Sequence, residues 1–168
     1  MVETTRLLIK PLTHDQLIKY INADHSLEQE LGLNNTSRVI SSELREALEQ
    51  TILPNVADVS KNYLFSTLWT IILKEQNKMI GDLCFVGEPN HTGEIEIGYG
   101  TYEDFRGKGY MTEAVNGMIQ WAEKQKNVKT IIASTEKTNT ASFTILKNNN
   151  FVKINESETL FNWQLKLS

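Results

Sequence analysis

The sequence predicts an α+β fold: one mixed, mostly antiparallel, twisted sheet of about seven strands, flanked by helices. Three observations predict it. Short apolar or alternating segments recur along the chain, each bounded by Gly, Pro, Asn or charged residues. Two later segments, 110–125 and 140–149, instead place apolar residues at helical spacing. The strands also come first as a run and then enter a strand–helix–strand–helix unit, the order of a sheet with helices packed on it.

The elements follow in order. Residues 6–12 (Arg6-Leu7-Leu8-Ile9-Lys10-Pro11-Leu12) read as a strand stopped by proline. Thr13 or Asp15 then caps a short helix carrying Leu17, Ile18 and Ile21. Ser41 and Ser42 precede 43–52, where Leu44, Ala47, Leu48 and Ile52 recur at helical spacing, and Pro54 is expected to end that helix. Strands are predicted at 68–74 and 79–86, joined by the turn Glu75-Gln76-Asn77-Lys78, and a third at 93–99. In the helix at 110–125, Met111, Ala114, Val115, Met118 and Ala122 form one stripe, with the methionines filling core gaps. A strand at 129–135, the helix at 140–149 and strands at 151–154 and 160–167 close the chain. The last alternates Phe161, Trp163, Leu165 and Leu167 with polar neighbours, as a sheet with one buried face does. No repeat, low-complexity tract or linker interrupts the series, so residues 1–168 read as a single domain.

Composition narrows the function. Seventeen basic and 21 acidic side chains leave a net charge of −4, which argues against a nucleic-acid binder needing a basic stripe. No apolar run approaches the ~20 residues of a bilayer span, and the N-terminus lacks the basic-then-apolar order of a signal peptide. The single cysteine, Cys84, excludes an intrachain disulfide and fits a reducing, cytoplasmic setting; one cysteine and three scattered histidines build no local metal site. Between Asp24 and Asp58 seven acidic residues face Arg38 and Arg45, a net of −5. Such a stretch reads either as a solvated helix face or as an acidic wall that attracts a cation.

The most informative segment is 94–114. A strand runs into a loop with Gly107 and Gly109, and an amphipathic helix starts at once. Glycines there let the backbone turn its N–H groups inward, and the helix N-terminus adds partial positive charge, a nest for an anion such as pyrophosphate. It is neither the dinucleotide fingerprint, which fails at Thr112, nor a P-loop, since no Gly-Lys-Ser/Thr follows.

The block resembles the acetyl-CoA signature of the GNAT acetyltransferase superfamily, Gln/Arg-x-x-Gly-x-Gly/Ala, here Arg106-Gly107-Lys108-Gly109-Tyr110-Met111 with methionine at the small-residue position. The flanking Glu96-Ile97-Gly98-Tyr99 and Thr112-Glu113-Ala114 are similar to the ribosomal-protein (RimJ/RimL-like) branch. So is the segment 139–151, which matches Asn-x-x-Ser-x-x-x-Leu-x-x-x-Gly-Phe with Asn150 in place of glycine. Asparagine tolerates a left-handed cap better than most residues, so that change is mild.

The resemblance implies an acetyl-CoA-dependent N-acetyltransferase working by direct attack of an amine on the thioester. It implies that the main chain of Tyr99, Gly100 and Thr101 pairs with the pantetheine arm and that an N–H there holds the developing oxyanion. The N–H groups of Gly107, Lys108, Gly109, Tyr110, Met111 and Thr112 would hold the pyrophosphate, and Asn139 would reach the pantetheine or phosphate. It also implies a bulge in the strand at 93–99 and a homodimer formed through edge strands. The attacking amine must lose a proton, and Glu96 is the candidate base, with Glu94, on the same face by alternation, as the fallback. The tyrosine that many of these enzymes use to protonate the leaving thiolate is replaced by Leu146. Ser142 is the candidate donor, against the plainer reading of a helix serine bonded to its own backbone. Cys84, without a neighbouring base, reads as a buried strand cysteine. The acceptor is either a protein N-terminus or a small cationic amine. A non-catalytic acyl-CoA-binding module is the alternative.

Overall fold

The computed structural model describes residues 1–168. Its strands are β1 (Val2–Glu3), β2 (Leu7–Pro11), β3 (Leu68–Leu73), β4 (Lys78–Phe85), β5 (Glu94–Thr101), β6 (Thr130–Glu136), β7 (Val152–Glu156) and β8 (Leu160–Lys166). They form one sheet in the order β1-β2-β3-β4-β5-β6-β8-β7, antiparallel throughout except for the parallel pair β5–β6. The helices are α1 (His14–Asn22), α2 (Ser26–Leu31), α3 (Ser42–Ala47), α4 (Leu53–Ala57), α5 (Tyr110–Glu123) and α6 (Thr140–Asn148). The sheet has eight strands rather than about seven because Val2 and Glu3 pair with Ile9 and Leu8, a two-residue strand too short to show any periodicity.

Each face of the sheet carries its own core. On one, α5 lays Met111, Ala114, Val115, Met118 and Ala122 over Ile9, Ile71, Leu83, Phe85, Ile95 and Ile97. Both methionines are buried there, as the stripe predicts. On the other, Leu17 and Tyr20 of α1, Leu27 of α2, and Leu48 and Ile52 pack on Leu68, Ile72 and Met79. The sheet therefore separates α5 and α6 from the early helices. This separation gives any site that crosses the sheet two distinct sides.

Local chemistry explains the ends. Thr13, not Asp15, caps α1: its hydroxyl accepts from the Gln16 N–H while the Gln16 side chain accepts from the Thr13 N–H, a reciprocal capping box. Ile18 is 43% exposed, and Tyr20 takes the buried place beside Leu17. Pro54 does not end the third helix. The turn Leu48–Ile52 widens to a π-helix, the Leu53 N–H reaches back five residues to the Leu48 carbonyl, and Pro54 falls in the first turn of α4. The missing proline donor and its ring are both tolerated there. Helix α2 follows His25 at φ 67° and lay outside the helices the sequence predicts. Asn150, the residue after the Asn149 cap of α6, adopts φ 67°, as expected of asparagine in place of glycine.

Candidate active site

Strand β5 changes partners midway. It pairs with β6 only from Glu94 to Glu96, while its register with β4 is continuous from Ile97 to Thr101, so the expected bulge is absent from β5. Beyond Glu96 the two parallel strands part, and β6 goes on to Glu136 beside β8. The Val86 N–H donates to the Glu96 carbonyl and the Tyr102 N–H to the Ile80 carbonyl, both at 2.9 Å. Even-numbered residues of β5 thus turn their main chain to β4, and by alternation Ile97, Tyr99 and Thr101 turn theirs to the gap. The Thr101 carbonyl, accepting from Arg106 Nε at 3.0 Å, shows this direction. Gly100, expected to pair alongside Tyr99 and Thr101, faces β4 instead, and its bare Cα leaves nothing within 4 Å on the side where a Cβ would stand.

The gap opens into a cleft of about 590 Å³ between β5, the loop before α5, and α6. Tyr99, Gly100, Thr101, Gly107, Lys108, Gly109, Tyr110, Met111, Thr112 and Asn139 all line it, and so does Ser142. Gly107 and Gly109 have φ of 74° and 79°, the left-handed region that side chains avoid. Gly109 is the N-cap of α5 and supplies no side-chain cap. None of the backbone N–H groups from Gly107 to Thr112 finds an acceptor in the protein. Six consecutive donors at a helix N-terminus suit a pyrophosphate, and the outward main chain of Tyr99 and Thr101 suits an amide-bearing arm. The residues present therefore fit an acyl-CoA.

Helix α6 forms the far wall. Asn139 caps it, its side-chain carbonyl accepting from the Ser142 N–H at 3.1 Å, and also lines the cleft. The Ser142 hydroxyl donates to the Tyr99 hydroxyl at 3.3 Å, and Tyr99 in turn donates to the Ser142 carbonyl at 2.8 Å. Burial holds the Tyr99 phenol above its ordinary range, against the lowering effect of the Ser142 contact. Leu146 is fully buried in the core.

Glu96 does not line this cleft. It is half-buried on the opposite face, in the row of Val86 and next to the Cys84–Gly98 pair, at the point where β5 and β6 part. Glu94 is two residues farther from the opening and accepts from Asn90 Nδ2 at 3.1 Å. Burial, with Asp82 and Glu96 nearby, pushes the Cys84 thiol up to about 12, so it is no nucleophile.

Sequence reasoning missed a buried polar network on this same face. Asp82, opposite Gly100 on β4, accepts from Tyr20 at 2.5 Å and from Tyr102 at 3.4 Å. Desolvation raises its pKa to about 6 despite those hydrogen bonds and the charge of Arg38. Arg38 is buried beside Tyr20 and bonds Glu28 at 3.1 Å. Burial alone would raise the Glu28 carboxyl, but hydrogen bonds from His25, Arg38 and the Thr36 N–H hold it below its ordinary value. The only sequence signal was an aspartate inside the apolar run 79–85. The acidic stretch 24–58 makes no uniform wall. Glu28 is paired internally, Glu30 bonds Lys19 and Gln16, Glu49 pairs with Arg45, and Asp24 and Asp58 bond the serines two residues on.

A parted parallel strand pair beside an uncapped, glycine-bearing helix N-terminus forms a cleft fitted to an acyl-CoA. A family model for the acetyltransferase (GNAT) domain matches residues 6–152, and the chain belongs to the GNAT acetyltransferase family, N-acetyltransferases that draw their acetyl group from acetyl-CoA. The uncharacterized N-acetyltransferase YjdG of Bacillus subtilis is 28% identical over 166 residues, covering 97% of this chain and 96% of that one. The ribosomal-protein-S5-alanine acetyltransferase of Vibrio fischeri shares the fold at TM-score 0.71 and 20% identity, over 98% of this chain and 94% of that one. The ribosomal L7/L12 α-N-protein acetyltransferase RimL, solved with coenzyme A, does so at 0.68 and 16%, over 98% and 96%. A spermidine N-acetyltransferase variant from Vibrio cholerae does so at 0.67 and 12%, over 97% and 95%. No helix is long and apolar enough to cross a membrane.

Proposed function

We propose that this enzyme transfers the acetyl group of acetyl-CoA to the α-amine of a peptide or protein N-terminus, with the donor in the α5–α6 cleft and the acceptor on the Glu96 face. The observation that carries this is the parting of β5 and β6 at Glu96. Main-chain donors lie on one side of that opening and a carboxylate on the other. When bound, acetyl-CoA supplies an activated thioester. The N–H groups from Gly107 to Thr112 hold its pyrophosphate, Tyr99 and Thr101 pair with its pantetheine, and Asn139 reaches it from α6. Glu96 takes the proton from the amine, directly or through water. Glu94, tied to Asn90 and farther from the opening, is less well placed. The Ser142 hydroxyl, in contact with the Tyr99 phenol, returns a proton to the leaving thiolate.

Two observations favour an α-amine over a small polycation. The carboxylates of 24–58 are largely engaged in local pairs. Val86, opposite Glu96 just past the end of β4, is 60% exposed and presents an apolar surface beside the base. An α-amine, pKa ~7.7–8.0, also needs less help to lose its proton than a lysine-like amine near ~10.4. A cytoplasmic setting and a homodimer through the exposed edge strand β7 complete this reading. The relatives' names are those of acetyltransferases and lend a non-catalytic acyl-CoA module no support. Thiol release from acetyl-CoA, measured against short peptides and polyamines, tests the proposal. Faster release with peptides is expected. Release with polyamines alone would move the acceptor class, and none with any amine would defeat the reading.

A further inference from the structure

We infer that Arg6, which does not line the cleft, is the positioning residue that aims the phosphate loop. This rests on the cleft being the coenzyme A site. Arg6 begins the approach to β2, and its carbonyl accepts from the Lys74 N–H at 3.0 Å, so it is tied to the sheet. From there it grips the first turn of α5. Its main-chain N–H donates to Glu113 Oε1 at 3.0 Å and its Nε to Glu113 Oε2 at 2.8 Å, so one carboxylate is held by both. Its guanidinium lies 4.5 Å from the centre of the Tyr110 ring. Arg6 Nη1 donates to the Lys108 carbonyl at 3.2 Å, inside the glycine loop itself.

That last bond sets a direction. Every peptide bond in the chain is trans, so the Gly109 N–H points opposite to the Lys108 carbonyl. With the carbonyl drawn back to Arg6, the Gly109 N–H is turned the other way, toward the cleft that Gly109 lines. That peptide is otherwise free to turn, because it ends on Gly109, which has no side chain to resist rotation, and no N–H from Gly107 to Thr112 is held by the protein. Glu113 in turn fixes the guanidinium; its side chain is 18% exposed and that of Arg6 44%, so the pair is half-open to solvent and works by geometry more than by charge. Arg6 therefore turns one of the six donors, the Gly109 N–H, toward an anion it does not itself touch, and holds the helix turn that carries three of the others. A lysine, with a single-point ammonium, cannot hold the Glu113 carboxylate and the Lys108 carbonyl in the same fixed fork.

The test compares binding of coenzyme A and of pantetheine, which lacks the pyrophosphate, to wild type, Arg6→Lys and Arg6→Met by calorimetry. Arg6→Met is expected to weaken coenzyme A about tenfold, the scale of one charge-assisted hydrogen-bond set, with Arg6→Lys between it and wild type. Pantetheine binding is expected to be the same in all three. Equal weakening of both ligands would mean general disruption of the fold and would overturn the inference. So would coenzyme A binding that Arg6→Met leaves intact. A wild-type protein that binds coenzyme A no better than pantetheine would instead overturn the assignment of the cleft, and the role of Arg6 with it.

Discussion

The hydroxyl of Ser142 on α6 and the hydroxyl of Tyr99 on β5 meet at 3.3 Å on the wall of the cleft, and Tyr99 closes the loop by donating to the Ser142 carbonyl at 2.8 Å. This contact joins the strand that carries the outward main chain to the helix that faces it. It also gives the cleft a phenol from β5, while Leu146 of α6 is buried in the core. Ser142→Ala is expected to lower kcat about a hundredfold, the low end for losing an acid, with little change in the KM for acetyl-CoA. Tyr99→Phe should do the same. The double variant should lose less than the two effects combined, because the hydroxyls act as one unit. Steady-state kinetics of all three check this, and additive losses would separate the two roles.

Gly109 has φ 79° and caps α5, so Gly109→Val forces a β-branched residue into the left-handed region, costing roughly 1–2 kcal/mol. It also puts branched carbon on the loop. Acetyl-CoA is expected to raise the melting temperature of the wild type by mass action. That ligand-induced rise should be nearly gone in the variant, even after its lower starting temperature is taken into account. An undiminished rise would place the ligand elsewhere.

Asp82 supplies a pH dependence whose sign follows from burial. Its pKa is raised from 3.8 to about 6, so the native state holds that proton more tightly than the unfolded chain. The corresponding stability is fully present below pH 3.8 and is lost as pH rises through about 6. The shift corresponds to on the order of 3 kcal/mol. Asp82→Asn, which keeps an acceptor for Tyr20, should therefore gain on wild type across that window and level off above it. Denaturant melts at intervals of pH check the slope, and parallel curves for the two proteins would contradict it.

Arg38 is the buried cation of the early helices. Its side chain is 2% exposed and that of its partner Glu28 is 0%. Arg38→Met leaves the buried Glu28 carboxylate with only His25 and the Thr36 N–H as partners and is expected to destabilise by about 3 kcal/mol, the low end for breaking a buried pair. The double variant with Glu28→Gln should recover part of that loss. Chemical denaturation of the four proteins measures the coupling.

What was legible in the sequence was what lies contiguously along it. The run from Glu94 to Ala114 holds strand, loop, glycines and helix in one stretch, so the strand, the glycine loop and the helix after it could be read directly. The same holds for α6, whose cap Asn139 and whose Ser142 sit three residues apart. What escaped is what the fold assembles from a distance. The Asp82 network joins Tyr20, Arg38 and Tyr102 from separate elements, and Arg6 and Glu113 are 107 residues apart. Pro54 misled for a different reason. Its rule concerns a regular helix, and a single π turn supplies the spacing that a proline needs. The charge of the segment 24–58 left a solvated face and an acidic wall both open, because composition does not show that Glu28 is buried against Arg38.

The most direct measurement is the rate of coenzyme A release by wild type and Glu96→Gln, with a peptide acceptor, from about pH 6 to about pH 10, a range that spans the pKa of an α-amine. The substitution keeps volume and removes only charge, so acetyl-CoA binding should barely change. If Glu96 takes the proton at the opening between β5 and β6, kcat/KM should fall by ~10²–10⁴ at neutral pH. It should then recover in part as rising pH neutralises the amine unaided. Wild-type rates in Glu96→Gln across the whole range would contradict the account.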